Sequence, residues 1–252
     1  MIFKQLIVGL FLVFLASCKT NTLNLSKIEG KQIPVSEDII PDQAITDFIK
    51  PYHDHVVRTL DSTLAYAPDS YSKSDGEYNT AIGNLMADIV YIQANPIFKS
   101  RTGHNIDFVI LNHGGIRAPI SKGNITLKTA YEVMPFENSI VVAGIKGKNV
   151  NEAMTYLSKG KRAHPVSQLK LVINSDYNIV ESSVKGEPID ENKIYYVATN
   201  DYLYNGGDHM TFFKPNDSVY VLNYKWRNAL IDYFMKVDTI NPVIDDRFIQ
   251  LK

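Results

Sequence analysis

Three short loops carry the residues best suited to holding a small ligand. The first is Asn112-His113-Gly114-Gly115-Ile116-Arg117, directly after the short buried-type strand expected at 107–111. Paired glycines let a backbone come close to a ligand. The Asn and Arg beside them supply donors for a phosphate, a ribose or a carboxylate. The second loop is Met134-Pro135-Phe136-Glu137-Asn138. Its proline stiffens the chain just before an aromatic ring, and a ring held in that way suits stacking on a flat ligand such as a nucleobase. The third runs from Asn200 to Asp208. It offers a second ring (Tyr202), a second glycine pair (Gly206 and Gly207), and a carboxylate. Asp208 could accept hydrogen bonds from ribose hydroxyls or a base edge. Taken singly, each loop has a plainer reading. Gly-Gly after a strand is a turn, Phe136 is a core side chain, and the third loop is a hairpin-like turn with solvated acids.

The elements that must position these loops are a mixture of helices and strands. Ile82, Leu85, Met86, Ile89, Val90 and Ile92 recur at helical spacing. Asn79 or Thr80 can cap that helix, and Pro96 is expected to lie beyond its end. Buried-type strands are expected at 107–111, 139–145, 169–173, 179–184 and 194–198, with turn residues between them. Helices are expected at about 42–59, kinked or split by Pro51, at 150–157 and at 224–235. The segment 69–77 reads as a polar loop. No internal repeat or second linker is visible, so residues 39–252 read as one α/β domain.

In this order the pieces resemble the C-terminal, substrate-binding domain of the 5'-nucleotidase family, which includes the periplasmic UDP-sugar hydrolases and the ecto-5'-nucleotidases. The matching residues are Ile82-Gly83-Asn84-Leu85-Met86-Ala87-Asp88, the Asn112 loop through Arg117, Gly123-x-Ile125, Pro135-Phe136-x-Asn138, Gly147, Gly186-x-Pro188-Ile189-Asp190, Tyr195-x-Val197-Ala198-Thr199-Asn200, and Gly206-Gly207-Asp208. The resemblance implies an α/β (α+β) fold, a layered sandwich of helices and mixed sheets that binds the nucleoside part of a substrate. By the same resemblance Phe136 and Tyr202 would sandwich the base and Asn138 would contact it. Asp208 would bind the ribose hydroxyls, and Arg117 a phosphate or neighbouring charge. Asn112 would hydrogen-bond nearby, and Gly114, Gly115, Gly206 and Gly207 would provide close backbone. There are departures. The family usually has Phe where Tyr202 stands. It places one or more Arg just before the helix that starts near Thr80, whereas 69–80 holds only Lys73 as a base. Gln168 stands where many members have Gly. Phosphate binding is therefore expected to be weaker than in the family, or to rely on a partner.

Hydrolysis in the full family belongs to a separate N-terminal metallophosphatase domain, where two metal ions activate water and stabilise the transition state. Its Asp-x-His, Gly-Asp-x-x-Asp, Gly-Asn-His-Asp and Gly-His-x-His patterns do not occur in this sequence. Of the six histidines, only His53-Asp54-His55 looks ligand-like. On a helix, positions two apart face different sides, so that run could chelate only if extended. The expectation is no catalytic residue, metal or cofactor on this chain, with divalent metals on a partner metallophosphatase. Two readings stand beside that split enzyme: a non-catalytic nucleoside- or nucleotide-binding lipoprotein, and an autonomous hydrolase using His53, Asp54 and His55.

The first residues read as an export signal. Lys4 precedes an apolar run at 6–15, too short for a helix to span a bilayer. Leu15-Ala16-Ser17-Cys18 contains the chain's only cysteine and resembles the lipobox of bacterial lipoproteins. That resemblance implies cleavage after residue 17, a lipid on Cys18, and a place in the bacterial cell envelope, outside the cytoplasm. The bland alternative is an ordinary cleaved signal with a chance cysteine. Residues 18–38 would then be the lipidated end and a flexible spacer. A formal charge of -1 gives no footprint for nucleic acid.

Overall fold

The computed structural model describes residues 25–251; the expected signal peptide (1–17) and the lipidation site Cys18 lie outside them. The chain divides into two units, Met1–Ile49 and Lys50–Lys252. In the first, residues 25–36 are exposed and carry no helix or strand. Helix α1 (Gln43–Leu60) is capped by Asp42, whose carboxylate accepts the Ala44 N–H at 2.8 Å. It is one continuous helix through Pro51, so the split that proline allowed does not occur. The carbonyl of Asp47, which loses its partner to the proline, belongs to an exposed residue that water can reach.

In the second unit, strands β1 (Thr63–Ala67), β2 (Phe108–Ile110), β3 (Gly123–Thr126), β4 (Ser139–Lys146), β5 (Val166–Ser167), β6 (Leu169–Ile173), β7 (Ile179–Val184), β8 (Glu187–Pro188), β9 (Ile194–Asn200), β10 (Ser218–Lys225) and β11 (Phe248–Gln250) alternate with helices. These are α2 (Ala81–Thr102), α3 (Leu127–Val133), α4 (Gly147–Gly160), α5 (Asp201–Tyr204) and α6 (Trp226–Phe234). The strands form a five-stranded sheet in the order β10-β4-β9-β2-β5, a four-stranded sheet in the order β11-β6-β7-β8, and the antiparallel pair β1-β3. In the five-stranded sheet β2 and β9 run parallel and the other neighbours antiparallel.

Alternation along the strands divides the core. On β2, Val109 joins the apolar cluster shared with α2 and α6, while Phe108 and Ile110 join the cluster under α4 and the four-stranded sheet. On β4, Ile140 and Val142 face the first cluster and Ala143 and Ile145 the second. The five-stranded sheet is thus the middle of a layered α/β sandwich.

Four local findings differ from the sequence reading or sharpen it. Helix α2 does not stop at Pro96. It runs to Thr102 and ends at Gly103, whose N–H bonds the Lys99 carbonyl at 2.8 Å with φ at +79°. Phe98 explains the continuation: it is wholly buried, with ring centroids 5.3 Å from both Tyr196 and Tyr220. Its burial offsets the proline's cost of about 3 kcal/mol. Ile92, the last of the residues recurring at helical spacing, is half exposed. Thr80, not Asn79, caps the helix, its hydroxyl accepting the Gly83 N–H at 3.1 Å. Asn79 instead ties down the C-terminal segment through the carbonyls of Asp245 and Phe248. Gln168 takes φ of +60°, a left-handed backbone that a glycine would adopt without strain.

Candidate functional site

The three loops meet because of how the central sheet is wired. Strands β2 and β9 are parallel neighbours, so the loops after them leave from the same end. Strand β4 is antiparallel to β9 with Ile140 opposite Asn200, which brings the segment before β4 to that end too. Strand β10 places Lys225 opposite Ser139, so the first residues of α6 join them. Crevices beyond the carboxyl ends of strands are where open α/β sheets hold ligands.

At this end is a cavity of about 350 Å³, within the size range of small-molecule sites. Asn112, Gly114, Gly115, Arg117, Met134, Phe136, Asn138, Tyr202, Asp208 and Trp226 line it. The sequence singled out all of these except Met134 and Trp226. Gly206 and Gly207 do not line the cavity. Gly207 lies behind the Tyr202 ring, whose carbon Cε1 would be 2.5 Å from a Cβ placed there. Gly115 is similarly forced, since a Cβ would come within 2.9 Å of the Trp226 ring.

The two candidate stacking rings are the exposed ones: Phe136 is 42% exposed and Tyr202 49%. The Arg117 guanidinium carbon stands 5.7 Å from the Phe136 ring centre, and its Nη1 bonds the Gly114 carbonyl at 3.2 Å. Asp208 is the polar centre. Its carboxylate accepts from Asn112 Nδ2 at 2.7 Å and from the Tyr202 hydroxyl at 2.9 Å. Its backbone carbonyl accepts from the Tyr156 hydroxyl of α4 at 2.8 Å. Asp208 and His209 both have left-handed φ, +51° and +61°, so those bonds hold a costly backbone in place. The bond to Asp208 raises the Tyr202 phenol above its usual pKa, and burial does the same for Tyr156. A carboxylate has about four lone-pair positions, so two protein donors leave room for a diol.

A second cleft, of about 430 Å³, adjoins the first and shares Arg117. Lys73, Lys161, Arg162 and His113 also line it, with Glu77 as its one acid. Burial lowers the pKa of His113, and lowers that of His164 behind it to about 4, so both imidazoles are neutral near pH 7. The His164 Nδ1 accepts from the His113 N–H at 3.4 Å, which suits a neutral ring.

Sequence reasoning missed Trp226, Met134, Tyr156 and Arg227. Trp226 could have been found from its place at the start of the closing helix. Met134 and Tyr156 are ordinary core types and Arg227 is of a type usually left at the surface, and the roles of all three depend on tertiary neighbours. His53, Asp54 and His55 lie in helix α1 with the histidines about 200° apart around the axis, and Asp54 pairs with Lys50 at 2.8 Å. Among the described residues, no group of three or more His, Cys, Asp or Glu could hold a metal ion. No helix among them is long and apolar enough to cross a membrane.

The sequence model of the family described as 5'-nucleotidase, C-terminal domain, matches residues 56–215. An apyrase of Tabanus yao is 26% identical over 234 residues, covering 83% of this chain and 42% of its own length. Protein UshA of Escherichia coli (strain K12) is 35% identical over 111 residues, 43% of this chain and 20% of its own. The crystal structure of a 5'-nucleotidase precursor from Thermus thermophilus superposes with a TM-score of 0.69 at 24% identity, over 84% of this chain and 44% of that one. The chain thus spans less than half the length of these relatives, and the likeness to the solved structure is one of fold.

Proposed function

The chain belongs to the 5'-nucleotidase C-terminal domain family, and on that premise we propose that it is the nucleoside- or nucleotide-binding half of a split 5'-nucleotidase-type phosphohydrolase. The observation that carries this is the single cavity in which Phe136, Tyr202, Asn138, Asp208, Asn112 and Arg117 meet. Two exposed rings can clasp a base while Asp208 takes the ribose hydroxyls. The adjoining cleft supports a phosphate beside the nucleoside. The arginines absent from 69–80 have counterparts there in Lys161 and Arg162, which stand with Lys73 and Arg117.

On this reading the chain binds and orients substrate, and the hydrolytic chemistry is supplied by divalent metals on a separate metallophosphatase. The residues described here do not fit a metal, so no hydrolytic step is assigned to them. A lipid on Cys18, as its lipobox-like setting suggests, would hold both halves on one membrane and raise their effective concentration. A second reading, a nucleoside- or nucleotide-binding lipoprotein without hydrolysis, draws on the same convergence of two exposed rings and the Asp208 carboxylate, which recognition of a nucleoside needs whether or not hydrolysis follows.

Two measurements test these readings. Calorimetry should detect adenosine binding to the chain alone. Phe136→Ala and Tyr202→Ala should each weaken it about tenfold or more, given roughly 1–3 kcal/mol per stacked ring. Phosphate release from a nucleoside monophosphate by an exported metallophosphatase of the same organism should then rise when this chain is added. Binding without that rise supports the second reading, and no binding at high ligand concentration removes both. In cells, Cys18→Ser should weaken function while leaving activity unchanged in a concentrated mixture.

A further inference from the structure

We propose that Arg227 is a positioning residue that fixes Phe136 in its ligand-facing pose. The functional consequence rests on reading the cavity as a nucleoside site. Residues 134–138 cross the mouth of the cavity outside any helix or strand, so their carbonyls lack the partners that regular structure provides. All five carbonyls are nonetheless held, by three consecutive residues where β10 passes into α6. Arg227 Nη1 donates to the carbonyls of Met134 (3.4 Å), Pro135 (3.0 Å) and Phe136 (3.3 Å). Lys225 Nζ donates to that of Glu137 at 2.6 Å, and the Trp226 N–H to that of Asn138 at 2.9 Å.

Arg227 is the buried charge of this set, only 5% exposed. Its Nη2 pairs with the Glu137 carboxylate, and its guanidinium carbon lies 4.1 Å from the centre of the Tyr131 ring on α3. A buried cation is costly unless paired, and an apolar side chain would fill the same space without that cost. What the guanidinium adds is a planar fork of donors in fixed geometry. One arm of that fork, Nη1, shares its two hydrogens among the carbonyls on both sides of Phe136, and the other, Nη2, holds the Glu137 carboxylate, while the Phe136 ring itself stays 42% exposed and so takes little orientation from packing. The ring's direction is therefore set from beneath by Arg227.

The test uses the full chain with 4-fluorophenylalanine at position 136, read by fluorine NMR without ligand, and adenosine calorimetry with unlabelled protein. Arg227→Lys keeps the charge and loses the fork. It should broaden or split the fluorine resonance, and weaken adenosine binding about tenfold in the parent but less than about twofold in a Phe136→Ala background. A residue with a merely structural role would cost the same in both backgrounds. An unchanged resonance, or equal losses in both backgrounds, overturns the proposal. Glu137→Gln alters an exposed partner of the same fork, and should broaden the resonance and weaken binding in the same direction, to a smaller extent. If Arg227→Lys does not fold, Glu137→Gln decides by the same criteria. Should the parent bind no adenosine, the nucleoside reading falls, and the fluorine spectrum alone decides whether Arg227 sets the ring.

Discussion

Gly207→Ala separates the cavity's function from the fold's stability. The added Cβ would lie 2.5 Å from Cε1 and Cζ of Tyr202 and 2.6 Å from Cδ1, so the face of that ring rests on the glycine backbone. Gly207 does not have positive φ, so alanine fits its backbone and the nearest obstacle is the ring. Carbon atoms settle at about 3.5–4.0 Å, which requires the ring to withdraw by about 1 Å. Tyr202 is 49% exposed and can swing toward solvent, breaking its 2.9 Å bond to Asp208 as it goes. Overpacking a closed core costs about 1–3 kcal/mol, and a half-open ring should stay near the lower end. For a domain of this size that is a fall in Tm of about 2–4 °C. Displacing one stacking ring should cost about 1–3 kcal/mol of ligand affinity, or roughly 5- to 150-fold. The assay is thermal unfolding beside adenosine calorimetry, repeated in a Tyr202→Ala background, where the glycine change should add almost nothing. If Gly207→Ala binds adenosine as the parent does, Tyr202 is not a stacking platform in this pose. If it unfolds more than about 10 °C lower, the ring is part of the core and the argument from exposure is wrong.

Asp208→Asn keeps the shape but replaces two charge-assisted bonds with neutral ones, and its amide must turn a donor toward Asn112 or Tyr202. The preference for adenosine over 2'-deoxyadenosine should fall about tenfold by calorimetry, and an unchanged ratio would remove Asp208 from the ribose. Stability should also depend on pH through His164, whose pKa falls from 6.5 to about 4 on folding because burial disfavours its charged form. Between those values the unfolded chain binds a proton that the folded chain refuses, so this contribution is complete above about 6.5 and is lost as pH falls toward 4. It amounts to about 3 kcal/mol, and His113 shifts in the same direction. Urea unfolding from pH 4.5 to 7.5 should show a shallower slope in His164→Gln; identical slopes would contradict the burial argument.

Much of the sandwich was legible because its inner strands are nearly continuous apolar runs. Strand β6 was read with its observed ends, and β4 and β9 to within two residues; β7, half polar and largely exposed, was also read with its observed ends, from its flanking turn residues. Strand β10 was missed, although its exposed-and-buried alternation is strand-like, because Tyr224 and Trp226 drew the reading toward the closing helix. The short strands β5, β8 and β11 carry too few residues to show a period. Proline was over-read at Pro96, where the buried Phe98 outweighs the lost hydrogen bond, and the split allowed at Pro51 does not occur. The candidate site was legible where residue type and loop composition coincide, at Phe136, Tyr202, Asp208 and the Asn112 loop. It was not legible at Arg227 or Tyr156, whose contacts span about 90 and 52 residues of sequence. A guanidinium that collects three carbonyls leaves no trace in local spacing.

Trp226 is the chain's only tryptophan, and it is wholly buried in the wall of the cavity. Its indole N–H has no hydrogen-bond partner among the described residues. Every photon of tryptophan emission from this protein therefore originates at one ring beside the candidate ligand. Filling the cavity should change the intensity or colour of that emission without any label, which makes the fold its own optical gauge of occupancy.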